Sequence, residues 1–209
     1  MEHLQIVSHP LVSDKISRLR DKNVTPHDFR RVLQEVSVVL AVEATIHLPL
    51  KEIALETPLE KTTGKMLAND IVLIPILRAG LGMLNGFLNI ITKARIGYLG
   101  VYRNEETLEP VTYYANLPTG IEHSEIYLLD PMLATGGSAD YCLSLIKKNG
   151  GKNISMVTLV SAPEGIAVIH KNHPEVKIIT ASLDRALNDK GYILPGLGDA
   201  GDRFNATIK

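Results

Sequence analysis

The chain has 209 residues, of which 45% are apolar and 22% charged, and its net charge is −1. These values are typical of a globular domain with a buried core, and the near-neutral charge argues against a nucleic-acid partner. The chain has a single cysteine, Cys142, so it cannot form an intrachain disulfide. This lack of disulfides is typical of proteins in a reducing compartment. No apolar run reaches membrane-spanning length and the N-terminus lacks signal-peptide features, so we expect a cytoplasmic protein with no membrane partner.

The predicted elements begin with a helix after Thr25, where a capping threonine is followed by Pro26 at the first helical position and by an acid, Asp28. From there apolar strands alternate with helices. The predicted strands are 71–77, 96–102, 126–129, 154–160 and 177–183, and the predicted helices are 81–91, 138–149 and 164–172. This alternation predicts one α/β domain, spanning residues 1–209, built on a doubly wound, mostly parallel sheet.

Two segments do not follow the alternation. Residues 103–117 combine a charged stretch with Val-Thr-Tyr-Tyr, a pattern that predicts a β-arm projecting from the sheet. Residues 191–209 are glycine-rich and lack any period. A long irregular segment in a compact domain is often a binding loop, and the alternative interpretation is a frayed terminus.

Asp130–Ser138, with the sequence Asp-Pro-Met-Leu-Ala-Thr-Gly-Gly-Ser, joins a predicted strand to a predicted helix. Backbone N–H groups in such a turn, together with a helix N-terminus, form an anion-binding site. The Asp130 carboxylate can accept hydrogen bonds from vicinal hydroxyls, so the combination predicts a sugar phosphate ligand. Asp130 and Arg78 both follow predicted strands, at the edge where ligands bind to such sheets.

Two glycine motifs resemble dinucleotide fingerprints but lack the required context. Gly196–Gly201 matches GxGxxG, yet no strand leads directly into it and too few residues follow for the helix. Gly80–Asn85 lies between a strand and a helix but ends in asparagine instead of glycine. A nicotinamide or flavin enzyme is therefore disfavoured.

Three segments together carry a resemblance to a known family. Asp130–Ala139 resembles the phosphoribosyl-diphosphate loop of type I phosphoribosyltransferases, while Pro75–Met83 and Gly191–Arg203 resemble the uracil phosphoribosyltransferase branch. The resemblance implies the type I fold with a C-terminal base-binding hood. It also implies transfer of ribose 5-phosphate from 5-phosphoribosyl 1-diphosphate to N1 of uracil, which gives UMP and pyrophosphate in pyrimidine salvage.

The same resemblance implies the ligands and the assembly. The expected cofactor is Mg²⁺, carried by the diphosphate and not by a dedicated protein site. Some family members are activated by GTP, so GTP is a possible activator. The expected assembly is a homodimer or a homotetramer.

The resemblance further implies the roles of individual residues. Arg78, Arg103 and Asp199 would be catalytic. The donor, 5-phosphoribosyl 1-diphosphate, would contact Arg78, Arg103, Asp130, Pro131, Met132, Leu133, Ala134, Thr135, Gly136, Gly137, Ser138 and Asp199. Uracil would contact Ile193, Gly198, Asp199 and Ala200. Asp199 would lie near C1′ of the donor, either as a base or as electrostatic support.

The sequence departs from the family pattern at Asn85, where an aspartate is usual, and at Ala206, where glycine is common. Two other functions stay open. One is a regulator of the same fold that binds RNA and senses pyrimidine nucleotides, which the net charge of −1 disfavours. The other is a purine-base phosphoribosyltransferase, which would need an aromatic stacking partner, and the tail offers only Tyr192 and Phe204.

Overall fold

The computed structural model describes residues 3–103 and 110–207. The helices are α1 (Pro10–Arg20), α2 (Pro26–Thr45), α3 (Leu81–Leu88), α4 (Gly137–Lys148), α5 (Pro163–Asn172) and α6 (Ala200–Asn205), with a 3₁₀ turn at Ile121–His123. None of the described helices is long and apolar enough to cross a membrane. The strands are β1 (Leu4–Ile6), β2 (Leu50–Glu56), β3 (Lys61–Leu67), β4 (Ile71–Leu77), β5 (Arg95–Ile96), β6 (Tyr98–Arg103), β7 (Pro110–Asn116), β8 (Glu125–Leu129), β9 (Met132–Leu133), β10 (Asn153–Ser161), β11 (Lys177–Leu183), β12 (Ala186–Leu187) and β13 (Ile193–Leu194).

The described residues form a nine-stranded sheet with the order β1-β11-β10-β8-β4-β6-β7, in which β5 also pairs with β4 and β9 with β10. Every pair in this sheet is parallel except β6–β7, which is antiparallel. Parallel neighbours that are distant in the chain require helical crossovers. The predicted doubly wound, mostly parallel α/β fold is therefore confirmed.

Both faces of the sheet are buried, which explains why β4 is a continuous apolar run. Ile71 and Leu73 pack on one side, in a core built with α1, α2 and α3. Val72 and Ile74 point to the opposite side, into a second core built with α4 and α5. Because successive strand side chains alternate between faces, a strand covered on both sides must be apolar at every position.

The sequence signal at the start of α2 is confirmed by the hydrogen bonds there. The Thr25 side chain accepts a hydrogen bond from the Asp28 backbone N–H (3.1 Å), and Pro26 is the first helical residue. Such a cap satisfies one of the N–H groups that a helix start leaves unpaired.

The predicted arm, residues 103–117, contains the last residue of β6 and all of β7, and beyond Gly100 the strand β6 pairs with β7 alone among the described residues. The strand pair β6–β7 forms the edge of the sheet. It begins at Tyr98, and β6 pairs with both β4 and β7, so the two strands continue the sheet. Residues 104–109 of the predicted arm lie outside the described residues. The hairpin that stands off the sheet is β2–β3, whose strands pair only with each other within the described chain and are exposed at most positions. This hairpin was not predicted from the sequence.

The glycine-rich tail is less irregular than predicted. Its first part contains β13, which pairs antiparallel with β12, and its second part contains the short helix α6. Residues 208–209 lie outside the described residues. The tail is thus folded against the domain as far as Thr207.

Candidate active site

The candidate site lies where the parallel strands end. Arg78 follows β4, and Asp130 follows β8, its neighbour in the sheet. The carboxyl ends of parallel strands share one edge, and ligands of open α/β sheets bind there. The sheet therefore brings a guanidinium and a carboxylate, 52 positions apart in the sequence, to one edge.

A cavity of about 330 Å³ opens at this edge. The predicted site residues Arg78, Asp130, Pro131, Met132, Asp199 and Ala200 line it together with Leu77, Ala79, Val101, Tyr102, Tyr113 and Gly201. The structure thus joins the end of β4, the start of the phosphate loop (residues 130–138) and the tail in one site. The positive, negative and apolar groups around it suit a ligand with charged and planar parts.

The phosphate loop forms a smaller recess beside this cavity, with a volume of about 100 Å³. The loop leads into α4, whose N-cap is Gly136 with φ +84° and whose first turn has no side-chain cap. Uncapped N–H groups and the helix dipole both favour an anion. The recess is lined by Asp130, Met132, Leu133, Ala134, Thr135, Gly136, Gly137, Ser138 and Ala139.

Two neighbouring segments fix the shape of the phosphate loop. Helix α5 approaches so closely that a Cβ on Gly165 would overlap the carbonyl oxygen of Ala134. From the other side the tail comes into contact, since a Cβ on Gly191 would lie 3.5 Å from Cγ2 of Thr135. Glycine at position 165 is therefore needed for close approach of the two backbones.

The carboxylate of Asp130 is half-buried at the junction of the cavity and the recess. Burial raises its pKa to about 7, although the backbone N–H of Met132 lowers it in part. That N–H, at 3.4 Å from Oδ1, is the one hydrogen-bond donor to this carboxylate among the described residues. Asp130 therefore retains acceptor capacity for a ligand.

Arg78 lies on the opposite side of the cavity, and its side chain is 61% exposed. Its Nη2 atom lies 4.0 Å from Oδ1 of Asp202 in α6, a weak surface contact. The Leu77–Arg78 peptide is cis. The following turn requires Gly80, because a Cβ there would overlap the backbone of Ile76 and the carbonyl oxygen of Leu129. The guanidinium is thus available to an anionic ligand.

Arg103 is the last residue of β6, where it pairs with Pro110 of β7. Its side chain and residues 104–109 lie outside what the structure describes. Two tyrosines near this end of the strand pair, Tyr102 and Tyr113, line the cavity with ring centroids 6.3 Å apart. The sequence analysis did not place either ring in the site. The signal for them was aromatic sequence at the predicted arm, with Tyr102 just before it and Tyr113 within it.

The tail residues predicted to bind the base are not all in the same cavity. Asp199 and Ala200 line the main cavity. Gly198, with φ +77°, lines a second cavity of about 320 Å³ that also includes Asp199. Ile193 is buried in β13 and lines neither of these cavities. Asp199 is the N-cap of α6, where its Oδ1 accepts the Asp202 N–H at 2.8 Å.

Two arginines that the sequence analysis missed hold the tail in place. Arg20 donates to the carbonyl of Gly196 at 2.7 Å and forms an ion pair with Asp184. Arg203 is buried and donates to the carbonyls of Leu197, Leu19 and Asp21, with its guanidinium 4.5 Å from the centre of the Phe29 ring. Asp184 could have been found in the sequence, because it is an acid that follows a predicted strand, as Asp130 is.

The chemistry of the cavity is compatible with Mg²⁺. Two carboxylates, Asp130 and Asp199, line it, and oxygen atoms are the ligands that Mg²⁺ prefers. Within residues 3–103 and 110–207, no group of three or more His, Cys, Asp or Glu residues could hold a metal ion. Asp130 and Asp199 could therefore each contribute a carboxylate oxygen to an ion at this cavity.

Comparison with known proteins gives one family. The model of the family described as uracil phosphoribosyltransferase matches residues 6–207. A uracil phosphoribosyltransferase of Fervidobacterium nodosum is 52% identical over 205 residues, which cover 98% of this chain and 99% of that protein. Another from Bacillus cereus is 50% identical over 208 residues, or 99% and 100% of the two chains.

Solved structures share the fold of this chain. The AQ2163 protein of Aquifex aeolicus has a TM-score of 0.93 and 40% identity, with 97% of this chain and 98% of that chain covered. A hypoxanthine-guanine phosphoribosyltransferase of Bacillus anthracis, at 12% identity and a TM-score of 0.51 over 77% and 79% of the chains, shares the fold. The matched residues include the ends of β4 and β8, the phosphate loop and the tail. The chain belongs to the uracil phosphoribosyltransferase family.

Proposed function

We propose that this chain transfers ribose 5-phosphate from 5-phosphoribosyl 1-diphosphate to N1 of uracil, with UMP and pyrophosphate as products. The observation that carries the proposal is a single cavity lined by Arg78, Asp130 and Asp199, with the phosphate-loop recess beside it. An activated ribose phosphate needs a cation for its diphosphate, an acceptor for its hydroxyls and an anion site for its 5′-phosphate. Family membership supports the same reaction.

The phosphate loop and Asp130 would hold the donor. The 5′-phosphate fits the recess at the start of α4, where backbone N–H groups and the hydroxyls of Thr135 and Ser138 can donate hydrogen bonds. The ribose hydroxyls would donate to the carboxylate of Asp130. Because the neighbouring residue is Pro131 and not a second acid, the hydroxyl contacts rest mainly on Asp130.

The arginines would stabilise the leaving group. Cleavage of the C1′–O bond leaves negative charge on the departing pyrophosphate. Arg78 can donate two parallel hydrogen bonds to phosphate oxygens and keeps its charge at any working pH. Arg103, at the end of β6, would approach the diphosphate from the edge of the sheet. Mg²⁺ bound to the diphosphate would neutralise part of its charge.

The tail would recognise the base. Uracil presents an acceptor, a donor and an acceptor along O4, N3–H and O2, which backbone groups at Gly198 and Ala200 can complement. Ile193 lines neither cavity, so its proposed contact with uracil has no support from the cavity lining. Asp199 lines both the main cavity and the cavity on the Gly198 side, which supports a role between base and sugar. Its carboxylate would lie near C1′, where positive charge develops as the bond breaks.

A base panel tests the proposal. The purified protein is incubated with 5-phosphoribosyl 1-diphosphate, Mg²⁺ and uracil, cytosine, hypoxanthine or guanine, and pyrophosphate release and nucleotide formation are measured. We expect turnover of uracil, with cytosine disfavoured on the order of 10⁴-fold because it would leave buried groups without partners. Turnover of a purine in place of uracil would overturn the proposal. Tight, nucleotide-dependent RNA binding without turnover would favour the regulator instead.

Self-association, GTP activation and a cytoplasmic location are further proposals that rest on the family resemblance. The β2–β3 hairpin supports self-association, since it exposes Leu50, Leu55 and Met66 and a lone two-stranded hairpin is only marginally stable. Light scattering on the purified protein, initial rates with and without GTP, and cell fractionation test the three proposals separately. A monomer at micromolar concentration, a rate unchanged by GTP, or recovery outside the cytoplasmic fraction would overturn the corresponding one.

A further inference from the structure

The ion pair between Arg20 and Asp184, outside the main cavity, forms hydrogen bonds with both backbone polar groups of the tail residue Gly196. Arg20, the last residue of α1, donates to the two carboxylate oxygens of Asp184 at 2.7 and 2.6 Å. Arg20 also donates to the carbonyl of Gly196 at 2.7 Å, and Asp184 accepts the Gly196 N–H at 2.8 Å. The pair therefore fixes the position and the orientation of the peptide groups at Gly196.

The ion pair is buried and has a third member. The side chain of Asp184 is 2% exposed and that of Arg20 is 23% exposed. Ser182 bridges them, since it accepts from Arg20 at 3.0 Å and donates to Asp184 at 2.9 Å. Burial alone would raise the pKa of Asp184, but the hydrogen bonds from Arg20, Gly196 and Ser182 outweigh it and hold that pKa below its ordinary value. Both Nη atoms of Arg20 and both carboxylate oxygens of Asp184 have protein partners, so the pair has a structural part in the tail.

The held segment borders two cavities. Residues 195–199 line the cavity of about 320 Å³ together with Arg20, Lys22, Asp202 and Arg203. Asp199 and the following residue, Ala200, line the main cavity as well. Leu197 packs into the hydrophobic core, but open volume lies beside the backbone of the rest of the segment, so packing alone does not fix the orientation of its peptide groups. The polar contacts of Arg20, Asp184 and Arg203 fix that orientation.

A residue with a side chain cannot replace Gly196 in this turn. Its φ is +61°, and a Cβ would overlap the carbonyl oxygen of Ile193. Glycine adopts this conformation without steric strain, but its backbone is also more flexible than that of any other residue. A flexible residue two positions before Gly198 must be fixed by its neighbours if Gly198 and Ala200 are to present their backbone groups in one arrangement.

We propose that Arg20 and Asp184 are positioning residues for base recognition: they act through Gly196 to hold the backbone of Gly198 and Ala200 in the geometry that selects uracil. This inference rests on the proposed function. The phosphate groups of the donor would be held by Arg78 and the phosphate loop, which belong to other elements, and Asp199, the one expected donor contact in the held segment, would act near C1′ in the chemical step. Loosening the ion pair therefore weakens recognition of the base and leaves donor binding nearly unchanged.

Kinetics of three variants test the proposal. Arg20→Lys keeps the charge but not the two-pronged geometry, Asp184→Asn removes the carboxylate, and Ser182→Ala removes only the bridging hydroxyl. Arg18→Gln is the matched control, since Arg18 lies in the same helix, is 56% exposed and pairs only with Asp14 among the described residues. The KM for each substrate, kcat, the ratio of uracil to cytosine turnover and the unfolding midpoint are measured for all four.

We expect the KM for uracil to rise about tenfold in Arg20→Lys and more in Asp184→Asn, because small displacements of binding groups have large effects. The KM for the donor should stay within about twofold, and the uracil-to-cytosine ratio should fall in step with the affinity for uracil. Ser182→Ala should show the same pattern at smaller size, and Arg18→Gln should match the unmodified protein.

A lower unfolding midpoint with an unchanged KM for uracil in folded Arg20→Lys would overturn the proposal, because the pair would then be only a stabilising contact. An equal rise in both KM values would overturn it too. If Arg20→Lys and Asp184→Asn do not fold, Ser182→Ala decides, and an unchanged KM for uracil there rejects the inference. Absence of uracil turnover in the unmodified protein would instead reject the proposed function.

Discussion

The carbonyl oxygen of Ala134, in the phosphate loop, lies where a Cβ on Gly165 of α5 would have to be. The first turn of α5 and the loop are thus packed backbone against backbone. Since neither partner is a flexible side chain, a methyl group at position 165 can be accommodated only if the loop or the helix moves.

Gly165→Ala should therefore displace the phosphate loop. We expect the KM for 5-phosphoribosyl 1-diphosphate to rise more than the KM for uracil, and the free energy of unfolding to fall by about 1–3 kcal/mol. Steady-state kinetics and chemical denaturation measure both effects. Lys171→Ala, an exposed substitution in the same helix, is the control and should change neither. Unchanged donor affinity in folded Gly165→Ala would contradict the expected close packing.

Asp199→Asn separates catalysis from structure. Asparagine caps a helix about as well as aspartate, so the hydrogen bond to the Asp202 N–H can persist and the unfolding midpoint should change little. We expect kcat to fall at least about 100-fold, with a much smaller effect on uracil binding, because the charge near C1′ is lost. Asp189→Asn, an exposed acid elsewhere in the chain, controls for the change in net charge. Near-normal turnover in Asp199→Asn would remove this residue from the catalytic group.

The pKa of Asp130 makes donor use depend on pH. With a pKa of about 7, this carboxyl is neutral at lower pH and becomes an acceptor of two hydroxyl hydrogen bonds only as the pH rises through that value. We expect kcat/KM for the donor to increase through about pH 7 and then level off. Asp130→Asn should have a low kcat/KM for the donor that does not rise through this pH range. If the rise persists in this variant, another group is responsible for it.

The same burial makes Asp130 costly to the fold. Its pKa in the folded chain lies above the ordinary value of 3.8, so the folded state holds the proton more tightly. The resulting stability is present below about pH 4 and is lost as the pH rises through about 7. At pH 8 we therefore expect Asp130→Asn to be more stable by roughly 1–2 kcal/mol, although inactive. Denaturation curves of both proteins at pH 5 and pH 8 give the free energy of unfolding. A difference between the two proteins that is the same at both pH values would contradict the prediction.

Ala206 occupies a conformation that favours glycine. It ends α6 with φ +59°, the left-handed geometry of a helix C-cap, and it is the position where the family pattern has glycine. Ala206→Gly should raise the free energy of unfolding by about 0.5–1 kcal/mol, since the strain relieved exceeds the added freedom of the unfolded chain. Asn205→Gly, inside the helix, should do the opposite. A lower midpoint for Ala206→Gly would show that the strain is not released there.

Much of the fold could be predicted because its signals are local. Short stretches of sequence predicted three of its features: the apolar run of β4, the Thr25 cap of α2 and the glycine turn before α4. The β2–β3 hairpin escaped because it is exposed on both faces and shows no apolar alternation. Its one local signal was Pro58 in the turn where the Thr57 N–H donates to the Glu60 carbonyl.

The candidate site could be predicted only in part, because some of its residues are positioned by contacts that are distant in the sequence. Asp130 and Arg78 follow predicted strands, so the topology of the sheet brings them together. The contacts that Arg20 and Arg203 make between the tail and the end of α1 join residues more than 170 positions apart, such as Arg20 and Gly196, and no local pattern predicts them. The division of the tail residues between two cavities also depends on how the chain folds back.

Asp130 and Asp184 occupy equivalent places, each one residue beyond the end of a parallel strand, yet among the described side chains only Asp184 has a guanidinium beside it. A strand end thus offers a ready-made location for an acid, and the neighbouring helix decides whether that acid is neutralised or left for a substrate. For protein engineering, this means that a new hydroxyl-binding carboxylate could be created on this scaffold by removing a partner, without inserting any acid. Arg20 would be the residue to change, and the loss of order in the tail would be the accompanying cost.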